Sequence, residues 1–105
     1  MANIKIYQLK RENMRYFGFL GFDESKKLNG REVTLDDYNL VYDANLPIVL
    51  NHDLDDYDEI FEMFNINRPE DFKGHSLSVS DVVRLDNGEF WYCDSFGWYL
   101  LNWEA

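Results

Sequence analysis

The sequence predicts one α+β domain over residues 1–105, an antiparallel sheet built on a central β-hairpin with one main amphipathic helix packed on it. Three observations predict it. Asn87-Gly88 divides two runs rich in β-branched and aromatic residues, and Asn-Gly supplies the positive φ angles of a tight hairpin turn. Between Asn51 and Asn65, apolar residues recur at three- and four-residue spacing, the period of a helix with one buried side. A chain of 105 residues buries one core and is too short for two.

With a two-residue turn at Asn87-Gly88, Leu85 pairs with Phe90, Arg84 with Trp91, Val83 with Tyr92 and Val82 with Cys93, which brings Asp81 opposite Asp94. Side chains alternate along strands, so Leu85, Val83, Phe90 and Tyr92 share one face, with the two aspartates at its far end. Both faces carry large apolar groups, so the hairpin is expected to be covered on both sides. A change of one residue in turn length would dissolve the pairing of the aspartates.

Elsewhere, Ile4 to Leu9 alternates in part and reads as an opening strand. Met14 to Phe22 reads as a short helix or turn that packs Phe17 and Leu20 onto the sheet, and Ser25 to Arg31 as a polar loop. Thr34 precedes Leu35-Asp36-Asp37 as an N-cap with acids in the first turn. Leu35, Tyr38 and Tyr42 could line one side of a helix, while Leu40-Val41-Tyr42 also reads as a strand. Pro47 ends whatever precedes it. In the main helix, capped by Asn51 or Asp53, Leu54, Tyr57, Ile60, Phe61 and Phe64 form the apolar stripe, and Asp55, Asp56, Asp58, Glu59 and Glu62 fall away from it. Asn65 to Gly74 is a connector that tucks Phe72 under the hairpin, and Tyr99 to Trp103 is the last strand.

Charge is concentrated. Residues 1–35 carry seven basic and four acidic groups, residues 36–71 one and eleven, and residues 72–105 two and five, so the middle third holds a net −10 equal to that of the whole chain. Such a field repels nucleic acid and anionic membranes and attracts basic protein surfaces. No apolar run approaches the roughly 20 residues of a membrane span, and Met1 to Lys5 has no apolar signal core. A cytoplasmic protein is the expectation.

The candidate chemistries are few. Asp53-Leu54-Asp55-Asp56-Tyr57-Asp58 suggests a calcium loop, but an EF-hand needs an oxygen ligand at its fifth position and glycine at its sixth, where this chain has Tyr57 and Asp58. Cys93 is the one cysteine, so no internal disulfide forms, and catalysis by its thiol would need His52 or His75 beside it. Asp81, Asp94 and His75 could serve a small hydrolase or a metal ion as acid, base or ligands. The commoner use of aspartate beside turns is to accept backbone N–H groups, as Asp94 could before Ser95-Phe96-Gly97 and Asp81 at the Ser-rich entry to its strand. No phosphate loop, HExxH or nucleophile elbow occurs, so neither an enzyme nor a cofactor is expected. What remains is binding: Asp36, Asp37, Asp53, Asp55, Asp56, Asp58, Glu59 and Glu62 could imitate the phosphates of a nucleic acid in a basic groove of another protein.

The run Pro69-Glu70-Asp71-Phe72-Lys73-Gly74-His75-Ser76-Leu77-Ser78-Val79-Ser80-Asp81-Val82-Val83, followed by Asp94-Ser95-Phe96-Gly97-Trp98, resembles the signature of the YodL-like domain family. Ile6-Tyr7-Gln8-Leu9, Tyr38 to Tyr42 and Phe61 to Asn65 are also similar. The resemblance implies a domain of bacterial mobile elements, carried by phages or plasmids, without established catalytic residues. By analogy with small acidic proteins of such elements, the expected function is anti-CRISPR inhibition. The chain, as monomer or weak homodimer, would occupy the guide-RNA or DNA groove of a CRISPR-associated nuclease, with no direct contact to nucleic acid or membrane.

Overall fold

In the computed structural model, which describes residues 1–51, 53–66 and 68–103, five antiparallel strands form one sheet: β1 (Ala2–Leu9), β2 (Tyr38–Leu46), β3 (Val82–Arg84), β4 (Phe90–Cys93) and β5 (Trp98–Leu100). Their spatial order is β2-β1-β3-β4-β5, so both strands of the hairpin lie inside the sheet. Helices α1 (Met14–Phe17), α2 (Phe22–Asn29) and α3 (Asp55–Ile66) complete the fold.

Strand alternation divides the buried side chains between two cores. Ile4 and Ile6 of β1 face one way and pack with Tyr57, Ile60 and Phe64 of α3, together with Val83, Leu85 and Phe72. Tyr7 and Leu9 face the other way and pack with Phe17 of α1, Phe22 of α2, Val82, Phe90 and Tyr92. Removing each such apolar side chain from water stabilises the fold by roughly 1.5–3 kcal/mol. The hairpin is covered on both sides, as its two apolar faces predict.

Its register differs from the predicted one. Arg84 pairs with Phe90, Val83 with Trp91 and Val82 with Tyr92, because the turn spans Leu85 to Glu89 rather than two residues. The Gly88 N–H bonds the Leu85 carbonyl at 2.9 Å, and the positive φ of 79° falls on Gly88 alone of the Asn-Gly pair. Val83 therefore joins the α3 core while Phe90 and Tyr92 join the other. Asp81 ends up opposite Cys93, whose N–H bonds the Asp81 carbonyl at 2.8 Å.

Two further expectations give way. Most of the predicted polar loop from Ser25 to Arg31 is helix α2, with Asp23 and Glu24 in its first turn, Lys26 and Lys27 in its last, and Gly30 at φ 70° closing it onto the Lys26 carbonyl. Those charges suit the helix dipole and that glycine the left-handed cap. Leu35 to Asp37 is one 3-10 turn, after which Tyr38 begins a strand. In β2, Val41 is an extra residue against β1, since Ile6 pairs with Tyr42 and Tyr7 with Leu40. That bulge puts Tyr38 in one core and Tyr42 in the other.

Helix α3 begins at Asp55, later than predicted, with the Asp53 carboxylate accepting the Asp55 N–H at 3.1 Å. Tyr57, Ile60 and Phe64 are buried and Phe61 half-buried, while Leu54 stays 48 % exposed because it precedes the helix. Phe72 is buried against Tyr42 and Phe64.

The acidic face of helix α3 as candidate functional site

Asp55, Asp58, Glu59 and Glu62 are all exposed. Their spacing along α3 puts them on one side of it, opposite the stripe formed by Tyr57, Ile60 and Phe64. Asp55 and Asp58 lie in the first turn, where the helix dipole favours them. Like charges four residues apart, as in Asp55 with Glu59 and Asp58 with Glu62, oppose helix formation by roughly 0.2–0.5 kcal/mol per pair. No ion pair among the described residues involves these four groups. Asp58 accepts the Trp98 indole N–H at 3.0 Å, which ties α3 to β5.

The other predicted site residues have different places. Asp36 is exposed, in the 3-10 turn that precedes β2. Asp37 is buried, and Arg31 grips both of its oxygens at 2.9 Å. Burial alone would raise the Asp37 carboxyl; hydrogen bonds from Arg31 and Thr34 outweigh it and hold the group below its usual range. Asp37 is thus internally neutralised. Its neighbours Val33 and Tyr38 pack in the core on the other side of the sheet from α3, so the eight acids do not make one surface. Asp56 is only 3 % exposed and accepts the Asn51 N–H at 2.8 Å, so it holds the chain before α3 instead of presenting charge. Alternation on a helix indicates a polar side; it does not show that the loop before the helix folds back over part of it.

Asp81 and Asp94 are not a pair. Asp81 accepts N–H groups of Ser78 at 2.9 Å and Gln8 at 3.2 Å, with the His75 ring 3.9 Å away. Burial pushes its carboxyl up, against those hydrogen bonds and the neighbouring histidine. Asp94 accepts from Phe22 at the start of α2, at 3.2 Å, and from Ser95 at 2.7 Å. Both carboxylates serve turns and caps. Among the described residues, no three His, Cys, Asp or Glu side chains gather where they could hold a metal ion. The Cys93 thiol is buried, which pushes it up to about 12, far from a reactive thiolate. His52, weighed above as its partner, lies outside the described residues.

Sequence reasoning missed a cavity of about 240 Å³ between the start of α3 and the β3–β4 turn. Tyr57, Leu85 and Trp91 line it, with Asp53 and Glu89 among the polar groups. Glu89 and Trp91 are some thirty residues from Tyr57 in the chain, and only the hairpin brings them to the helix.

This geometry defines a small α+β domain whose distinctive surface is an acidic helix face. The chain belongs to the YodL-like domain family, whose model matches residues 3–103. It is also similar to the ribosome maturation factor RimM of Streptococcus pneumoniae, in strains Hungary19A-6 and CGSP14 among others, at 32 % identity over 88 residues. The match covers 80 % of this chain and 51 % of those proteins, so the chain spans about half the length of the curated relatives it matches. No solved structure matches it. These likenesses overturn the expectation of a mobile-element inhibitor of a CRISPR-associated nuclease: the named relatives are ribosome maturation factors. The analogy behind that expectation rested on size and acidity, which many unrelated proteins share. Among the described residues, no helix is long and apolar enough to cross a membrane.

Proposed function

We propose that the chain is a non-enzymatic, cytoplasmic binding module of ribosome maturation, which docks the acidic face of α3 on a basic protein surface of an assembling ribosome. The single observation behind this reading is the set of exposed carboxylates Asp55, Asp58, Glu59 and Glu62 on one side of a helix whose other side is buried. The likeness to ribosome maturation factors supplies the setting. A net charge of −10 disfavours direct contact with RNA phosphates and favours the lysine- and arginine-rich proteins among them.

The test is co-sedimentation of the tagged protein with ribosomal particles, at low and at high salt. The wild-type chain should co-sediment at low salt and dissociate as salt screens the contact. Reversing Asp55, Glu59 and Glu62 to lysine should abolish co-sedimentation, with circular dichroism reporting an intact fold. Undiminished co-sedimentation of that variant would refute the assignment of the face.

A further inference from the structure

Two residues that line the cavity between α3 and the β3–β4 turn carry a buried polar atom without a hydrogen-bond partner among the described residues, the Tyr57 hydroxyl and the Trp91 indole N–H. Tyr57 is 4 % exposed. Burial pushes its phenol up to about 12; the Asn87 amide and the Trp91 indole approach its oxygen and temper the rise without reaching hydrogen-bond geometry. The hydroxyl therefore stays neutral, able to accept or donate. Buried polar groups are nearly always paired in folded proteins, and two orphans at one cavity mark a place shaped for a group from outside.

Resting on the reading of this side of the molecule as a docking surface, we propose that the cavity receives an arginine side chain of the protein partner. Among the described residues, no basic side chain lines the cavity, whereas Asp53 and Glu89 bring carboxylates to it. The rings of Tyr57 and Trp91 stand 5.3 Å apart and tilted by 43°, packed on each other, and the half-buried Trp91 brings to the cavity a π-system on which a guanidinium stacks. Leu50, Leu54 and Leu85 surround the space with apolar surface suited to the methylene stem. The Tyr57 oxygen can accept a guanidinium N–H, and the Trp91 N–H can donate to a main-chain carbonyl of the same segment. Lysine fits less well, since its compact, strongly hydrated ammonium has no flat face to stack. A phosphate or an acidic peptide would be repelled by Asp53 and Glu89. Asp53 also caps α3, so an occupant here adjoins the acidic face.

The test titrates N-acetyl-arginine methylamide into the ¹⁵N-labelled full chain and follows the Trp91 indole signal. The neutral isostere N-acetyl-citrulline methylamide serves as comparison. The arginine probe should shift that signal saturably, with citrulline at least about tenfold weaker, as loss of a charge-assisted hydrogen bond predicts. Glu89→Gln, at an exposed position where folding is not at risk, should weaken the arginine probe about tenfold, and Tyr57→Phe should weaken it as well. No shift of Trp91 at up to about 50 mM probe, above the millimolar range that even 4 kcal/mol of binding yields, would overturn the inference. So would equal binding of citrulline. If the probe fails while ribosomal particles still bind the acidic face, the cavity assignment alone falls. If the probe binds and the particles do not, the docking reading falls and the cavity stands.

Discussion

Replacing Asp81 by asparagine should change how stability depends on pH. The carboxyl is 1 % exposed; Oδ2 accepts from Ser78 and Gln8, and Oδ1 is buried without a hydrogen-bond partner among the described residues. Burial raises the group from 3.8 to about 7. A carboxyl whose pKa is raised by folding binds its proton more tightly in the native state, so stability falls as pH rises from 3.8 towards 7, and the penalty is complete above 7. At 1.36 kcal/mol per unit, the penalty amounts to roughly 4 kcal/mol above pH 7, more than half of which develops between pH 5 and pH 8. Asparagine has the same shape and carries no charge. The stability of Asp81→Asn minus that of the wild type should therefore rise by roughly 2–3 kcal/mol from pH 5 to pH 8. A protonated His75, 3.9 Å away, would favour the ionised carboxyl and flatten the acid end of the curve. Urea denaturation at about pH 5, 6, 7 and 8 measures the difference. A difference that stays constant to within about 0.5 kcal/mol across that range would refute the reasoning.

Phe64 is 0 % exposed and sits among Tyr42, Phe72 and the rest of the α3 core; Phe64→Ala should lower stability by roughly 3–5 kcal/mol in urea, and a loss under about 1 kcal/mol would show that α3 does not pack there. Gly88 holds a φ of 79° in the hairpin turn, where an L side chain is strained; Gly88→Ala should cost about 1–2 kcal/mol by the same measurement.

Much of the candidate face was legible in the sequence. The three- and four-residue recurrence of Tyr57, Ile60 and Phe64 sets the buried side of α3, and the opposite side follows by geometry. Asp56 and Asp37 escaped that logic. One is covered by the loop at Asn51, the other gripped by Arg31, and neither contact has a signal in local periodicity. The cavity escaped it too, since Tyr57 meets Trp91 only after the hairpin has folded against the helix. Helix α2 was readable from its charges and Gly30, but its apolar side holds too little for a stripe to stand out.

By itself the sequence determined the fold class, the interior hairpin and the acidic helix, because periods of two and of three to four residues arise within each element from backbone geometry alone. Tertiary structure decided the hairpin's register, the division of Tyr38 and Tyr42 between two cores, and which carboxylates reach solvent. A single residue more in a turn or bulge turns every later side chain of that strand to the opposite face, and such a residue is selected by the packing of both cores at once.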